Sequence, residues 1–106
     1  MQKSKRMPKI YEYFGFIFYF YTNEHEPIHV HVRKAENETI YDLIFENGIL
    51  KEINKRYSKG IKPLNTKDDA EAIAFIKKFS KGIANKWVNL FVYKKRVVST
   101  KITKKV

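Results

Sequence analysis

Aromatic and polar residues alternate along the first third of the chain, and half of its aromatic residues lie between Tyr11 and Tyr21. This alternation predicts β-strands, because successive side chains of a strand point to opposite faces of the sheet. One face is predicted to consist of Phe14, Phe16, Phe18 and Phe20, and the other of Tyr13, Ile17, Tyr19 and Tyr21. We expect the phenylalanine face to form the core, because a buried tyrosine hydroxyl needs a hydrogen-bond partner.

Turn residues divide the first half of the chain into five predicted strands. Gly15 is expected to bend the chain, residues 22–27 (TNEHEP) to form a turn, and Asn47-Gly48 to form a tight hairpin. The predicted strands are 9–13, 16–21, 28–34, 39–45 and 49–53, and residues 55–62 are expected to be a basic loop.

The third predicted strand has one aliphatic and one polar face. We expect its aliphatic residues to continue the phenylalanine face; they are Ile28, Val30 and Val32. This register places His29, His31 and Arg33 beside Tyr19 and Tyr21. The sequence therefore predicts a polar, titratable sheet face opposite the core.

A helical period replaces the alternation after residue 66. Apolar residues recur at spacings of three and four; they are Ala72, Ile76, Phe79, Ile83, Trp87 and Leu90. They predict one amphipathic helix of about 24 residues, with Thr66 as its N-cap and Asp68 and Asp69 in its first turn. Gly82 lies inside this helix and is expected to mark either a kink or a close approach to the sheet.

These elements predict the α+β class: an antiparallel β-meander of about five strands packed against one long C-terminal α-helix, then a basic strand-like tail. Residues 1–6 are expected to be a flexible basic extension, and residues 7–106 a single domain.

Composition narrows the classes of function. The chain of 106 residues has 22 Lys and Arg against 11 Asp and Glu, a net charge of +11, and no cysteine. Absence of cysteine excludes disulfides and thiolate metal sites, and no apolar run is long enough for a membrane span or a signal peptide. We expect a cytoplasmic protein whose partner is a polyanion such as RNA or DNA, or alternatively an acidic protein.

All three histidines lie between His25 and His31, which makes this stretch the candidate site. In the catalytic interpretation, paired imidazoles act as base and acid in RNA phosphodiester transfer, Arg33 holds the phosphate, and Tyr19 or Tyr21 stacks a base. The candidate catalytic residues are His25, His29, His31, Arg33, Tyr19 and Tyr21.

Two other interpretations of the histidines stay open. In one, His25, His29 and His31 bind zinc with an open fourth position, and Glu24 and Glu26 support them. In the other, the rings bond the glutamates or the backbone and only fix the turn. Without the zinc interpretation, no cofactor is expected.

The tail carries the clearest basic patch of the sequence. Its candidate nucleic-acid-binding residues are Tyr93, Lys94, Lys95, Arg96, Lys101, Lys104 and Lys105. The alternative is that this run is simply a solvated tail.

Several of these segments resemble the DUF4160 family of small bacterial proteins. The resemblance covers the start at 7–10, Gly15-Phe16, the histidine segment 23–32, Lys86-Trp87 and residues 101–105. Family members usually have two prolines before the first histidine of the pair, where this chain has Glu26-Pro27-Ile28. The resemblance implies a compact α+β protein, often encoded beside a second small protein in an arrangement like a toxin–antitoxin pair, and it implies no established catalytic residues.

Three hypotheses follow. The first is a component of a toxin–antitoxin-type module that engages RNA and cleaves it with His29 and His31. The second is a non-enzymatic module that binds nucleic acid or protein and regulates it. The third is a metal-binding protein that uses the histidine cluster.

Overall fold

The computed structural model describes residues 7–21 and 28–106, so the predicted extension at 1–6 and the predicted turn at 22–27 lie outside the described residues. The strands are β1 (Lys9–Tyr13), β2 (Phe16–Tyr19), β3 (Ile28–Lys34), β4 (Asn37–Glu46), β5 (Ile49–Tyr57) and β6 (Thr100–Ile102). The helices are α1 (Thr66–Lys78) and α2 (Ser80–Phe91). Over the described ranges, neither helix has the length and hydropathy needed to cross a bilayer.

The described strands form one six-stranded sheet in the order β5-β4-β3-β2-β1-β6. Strands β1 to β5 pair antiparallel in sequence order, which is the predicted meander, and β6 pairs parallel with β1. The α+β class is therefore confirmed, and the tail adds an edge strand to the sheet.

The turn between β1 and β2 differs from the predicted alternation. Phe14 has φ 42° and Gly15 has φ 87°, so both residues belong to a tight turn and the period of two restarts after them. As a result Tyr13 is 1% exposed in the core and Phe14 is 46% exposed, the reverse of the expectation for both. The assignment of Phe16, Phe18 and Phe20 to the core is confirmed.

Strand β5 continues four residues beyond its predicted end, so the expectation of a loop from residue 55 was wrong. Lys55 pairs across to Tyr41 and Arg56 to Ile40. Charged residues are tolerated there because β5 is an edge strand whose side chains reach solvent.

The predicted single helix is two helices. Helix α1 ends at Phe79, whose backbone has φ −105° and ψ 22°, outside the helical region. The break therefore lies three residues before Gly82. The N-cap is Asn65 instead of Thr66, because the Asn65 side chain accepts a hydrogen bond from the Asp68 amide at 2.8 Å.

Both helices pack on the phenylalanine face of the sheet. Phe75 lies over Phe18 with ring centroids 4.4 Å apart, and Trp87 meets Phe20 edge-on at 5.3 Å. Gly82 makes the predicted close approach, since a Cβ at this position would overlap the Tyr11 hydroxyl. The predicted polar residues of β3 lie on the opposite face by strand alternation, and one of them, His29, also contacts Trp87 of α2.

The tail is fixed to the rest of the fold. Residues Tyr11 and Tyr13 of β1 lie beside Thr100 and Ile102 of β6. The Lys86 ammonium of α2 donates to the Val98 carbonyl at 2.7 Å and to the Thr100 hydroxyl at 3.2 Å. The predicted strand-like tail thus includes a short ordered strand.

Candidate functional site

Four of the predicted site residues meet on the face of the sheet opposite the phenylalanine core. Tyr19 on β2 lies directly across from His31 on β3, as the alternation of the two strands requires. The His31 ring lies against Tyr19 with centroids 5.3 Å apart and against Tyr21 at 4.1 Å. Arg33 is on the same face two residues further along β3.

Glu38 joins these residues into one network. Its carboxylate is 1% exposed and accepts hydrogen bonds from the Tyr19 hydroxyl at 2.5 Å and from Arg33 Nη2 at 2.9 Å, both on Oε1. On Oε2 it accepts from the Ser58 hydroxyl at 2.7 Å and faces His31 Nδ1 at 3.3 Å. We call these five residues the Glu38 network.

Sequence reasoning missed Glu38 and Ser58. Glu38 lies just before the predicted fourth strand at 39–45, whereas β4 begins at Asn37 and Glu38 pairs directly with Arg33. The sequence signal for Glu38 was its opposite charge to Arg33 on the other side of a short turn. Oppositely charged residues stabilise a hairpin when they lie across from each other on neighbouring strands. Ser58 follows β5 in the loop, and nothing in its local sequence marks it.

The Glu38 network keeps a buried carboxylate ionised. Burial raises the pKa of Glu38, but hydrogen bonds from His31, Tyr19 and Ser58 outweigh it and lower the pKa to about 2. Burial and the hydrogen bond to Glu38 raise the pKa of Tyr19, so its hydroxyl stays protonated and donates. Burial lowers the pKa of Arg33, but the nearby Tyr19 and Glu38 raise it overall.

The carboxylate also sets the tautomer of His31. An ionised oxygen facing Nδ1 favours the form that carries its proton on Nδ1. In that tautomer the acceptor nitrogen of the ring is Nε2. His31 is 1% exposed and lines a cleft beside the Glu38 network.

His29 and His25 are placed differently. The His29 ring is 5% exposed and lies 5.7 Å from the Trp87 ring and 5.9 Å from the His31 ring, centroid to centroid. It is buried beside α2, and the pairing of His29 with His31 as acid and base stays a prediction. His25 lies outside the described residues.

The zinc interpretation is likewise a prediction. Among residues 7–21 and 28–106, no three side chains of His, Asp or Glu lie close enough together to hold a metal ion. The predicted zinc ligands include His25, which lies outside the described residues, so the described residues do not test the three histidines together.

A cleft of about 360 Å³ opens beside the Glu38 network. His31, Glu38 and Ser58 line it together with Tyr21 and with the loop residue Lys59. Arg56 lies on its rim, where the guanidinium binds the Asp42 carboxylate through Nε and Nη2, both at 2.9 Å. The cleft thus combines an aromatic ring, a basic rim and an oriented imidazole.

The predicted basic patch is divided by the fold. Tyr93, 62% exposed, begins the segment after α2, and Lys95 lies over its ring at 5.6 Å. Lys101 is on β6, and Lys104 and Lys105 follow that strand. The candidate binding residues of the tail therefore form two groups, one after α2 and one at the β6 edge.

The fold and the site define an α+β protein with a buried carboxylate–histidine network on the face of a mostly antiparallel sheet that lies opposite the phenylalanine core. The sequence model of the family described as "Domain of unknown function (DUF4160)" matches residues 15–87, and the chain belongs to this family. The match contains the whole Glu38 network, whereas the basic tail follows it. No curated protein and no solved structure matches the chain.

Proposed function

We propose that the protein is an RNA-engaging component of a toxin–antitoxin-type module and cleaves single-stranded RNA in the cleft beside the Glu38 network. The observation that carries the proposal is the ionised Glu38 carboxylate facing His31 Nδ1 at 3.3 Å, at the wall of a basic cleft. A carboxylate that orients a histidine is a recurrent means of preparing a general base.

The reaction we propose is transfer of the phosphodiester to the neighbouring 2′-hydroxyl. His31 Nε2 accepts the 2′-hydroxyl proton as the 2′-oxygen bonds to phosphorus, and the bond from phosphorus to the 5′-oxygen breaks. The leaving 5′-oxygen takes a proton from water in the open cleft. Lys59 neutralises phosphate charge at the rim, and Tyr21 supplies a ring on which a base can stack.

The test is RNA cleavage by purified protein and by two site variants. We expect Glu38→Gln and His31→Gln each to lower the cleavage rate by about 100-fold or more, because His31→Gln removes the general base and Glu38→Gln removes the carboxylate that orients it. Lys67→Gln is the control, since it removes one charge from an exposed position at the start of α1. Thermal unfolding and circular dichroism establish that each variant is folded.

Cleavage at the wild-type rate by both folded site variants would eliminate the nuclease proposal.

The second candidate is a non-enzymatic nucleic-acid-binding module, and it is favoured by the exposure of Tyr93 beside Lys94 and Lys95. For that candidate the same RNA is bound but left intact, binding survives His31→Gln, and it weakens when Tyr93 and the adjoining basic residues are replaced.

A further inference from the structure

A second concave site lies at the other edge of the sheet, where β6 meets the break between the helices. This cavity of about 330 Å³ is lined by four lysines and by apolar residues that include Phe79 and Ile102. The lysines are Lys78, Lys101, Lys104 and Lys105. We call it the lysine pocket.

The charges of the lysine pocket are poorly compensated. Lys105 donates to the Glu71 carboxylate at 3.0 Å and lies over the Phe14 ring at 4.4 Å. The ammonium groups of Lys78, Lys101 and Lys104 form no hydrogen bond or ion pair with any residue in the described ranges. Like charges around one cavity repel each other, and a multivalent anion placed between them removes that repulsion.

The fold holds these lysines in place. β6 is paired with β1, and the hydrogen bonds from Lys86 to Val98 and Thr100 attach the segment before and within β6 to α2. Lys78 is the last residue of α1, directly before the break at Phe79. The residues after β6 are attached as well, since Lys105 donates to the Glu71 carboxylate and the Val106 amide donates to the Tyr13 hydroxyl at 3.1 Å. These bonds reduce the ordering cost of binding.

We propose that the lysine pocket binds an oligophosphate, meaning at least two linked phosphate groups. Three uncompensated ammonium groups match the charge of such a group better than that of a monoanion. Linked phosphates occur in the backbone of an RNA strand and in free oligophosphates, and the chemistry of recognition is shared. The proposal goes beyond the cleft, because it stands whether or not the Glu38 network cleaves RNA.

Titration calorimetry of the full chain with inorganic tripolyphosphate tests the proposal. We expect Lys101→Gln combined with Lys104→Gln to weaken binding by about tenfold or more, because two pocket charges are lost. The matched control is Lys67→Gln combined with Lys77→Gln, which removes the same net charge from exposed positions of α1 that do not line the pocket. We expect the control to change affinity by less than about twofold.

Equal weakening of binding in both double variants would refute the pocket, because binding would then follow net charge alone. Undetectable binding of tripolyphosphate to the wild type would also refute it.

A parallel arm measures fluorescence anisotropy with a short single-stranded RNA. If the pocket variant also weakens RNA binding and tripolyphosphate competes with RNA, the source is the RNA backbone. If RNA binding is unchanged while tripolyphosphate binding is lost, the pocket's ligand is a free oligophosphate. Cleavage rates of the His31 and Glu38 variants are measured separately, so each proposal can fail alone.

Discussion

At the scale of single residues, the central feature of the protein is a carboxylate that is both buried and charged. Glu38 is 1% exposed, yet its two oxygens meet four donors from β2, β3 and the loop after β5. Burying an ion is unfavourable unless its hydrogen bonds replace water, and here every donor is a side chain. Glu38 therefore links the residues of β2 and β3 to the loop that borders the cleft.

The pKa of Glu38 predicts a specific pH dependence of stability. Its value falls from 4.5 to about 2 on folding, so the folded state is favoured by an ionised Glu38 above pH 4.5 and loses this contribution as the pH falls towards 2. A shift of this size corresponds to about 3 kcal/mol. We expect Glu38→Gln to lower the free energy of unfolding by about this amount at pH 7, and the gap to the wild type to close at low pH.

Urea unfolding of both proteins between pH 7 and pH 2 measures this gap. Other carboxyl groups titrate in the same range, but they are common to both proteins and cancel in the difference. Two stability curves that stay parallel throughout would mean that Glu38 has no lowered pKa in the folded state.

At the scale of elements, α2 depends on one close approach to the sheet. A Cβ at Gly82 would overlap the Tyr11 hydroxyl on β1, so helix and strand fit together only with glycine at this position. We expect Gly82→Ala to lower the free energy of unfolding by about 1–3 kcal/mol, because overpacking outweighs the better helix propensity of alanine. Denaturant unfolding provides the measurement.

Tyr11→Phe gives the matched test of that explanation. It removes the hydroxyl that the new methyl group would overlap, so Gly82→Ala should cost less in the Tyr11→Phe background by about 1 kcal/mol. If the effects of the two substitutions on the free energy of unfolding are additive, the destabilisation by alanine at residue 82 does not come from overlap with the Tyr11 hydroxyl.

The strands of this fold could be predicted from the sequence more completely than the helices. Local patterns predicted the meander and the core residues Val30, Val32, Phe16, Phe18 and Phe20, because a two-residue period is set by strand geometry alone. The helix break at Phe79 was not predictable in this way, since the apolar stripe runs through it without interruption. Breaks of this kind are set by packing against the sheet.

The candidate site shows the same limit. The meeting of Tyr19, His31 and Arg33 follows from strand parity, so local sequence was sufficient to place them on one face. Glu38 is added by the start of β4, where its opposite charge to Arg33 is the one local signal. Its contacts with Tyr19 and Ser58 join residues 19 and 20 positions apart in sequence. Such contacts leave no periodic trace in a single sequence.

At the scale of the whole molecule, most described acids are already engaged by bases. Asp42, Asp68, Asp69 and Glu71 each lie within ion-pair distance of a lysine or an arginine. The excess of basic residues that gives the net charge of +11 therefore acts mainly towards the surroundings. A field of this sign attracts any polyanion, so affinity for RNA alone does not locate a binding site.

The salt dependence of RNA binding separates a located site from this general field. Each phosphate neutralised on a single strand adds about 0.7 to the slope of log affinity against log salt. Lys59 lines the cleft, so we expect Lys59→Gln to reduce the magnitude of the slope by about 0.7 in anisotropy titrations over a series of salt concentrations. Lys67→Gln removes an equal charge from α1 and should leave the slope unchanged. Equal reductions of the slope in both variants would mean that RNA is held by the overall charge of the molecule. The cleft would then not be the RNA-binding site.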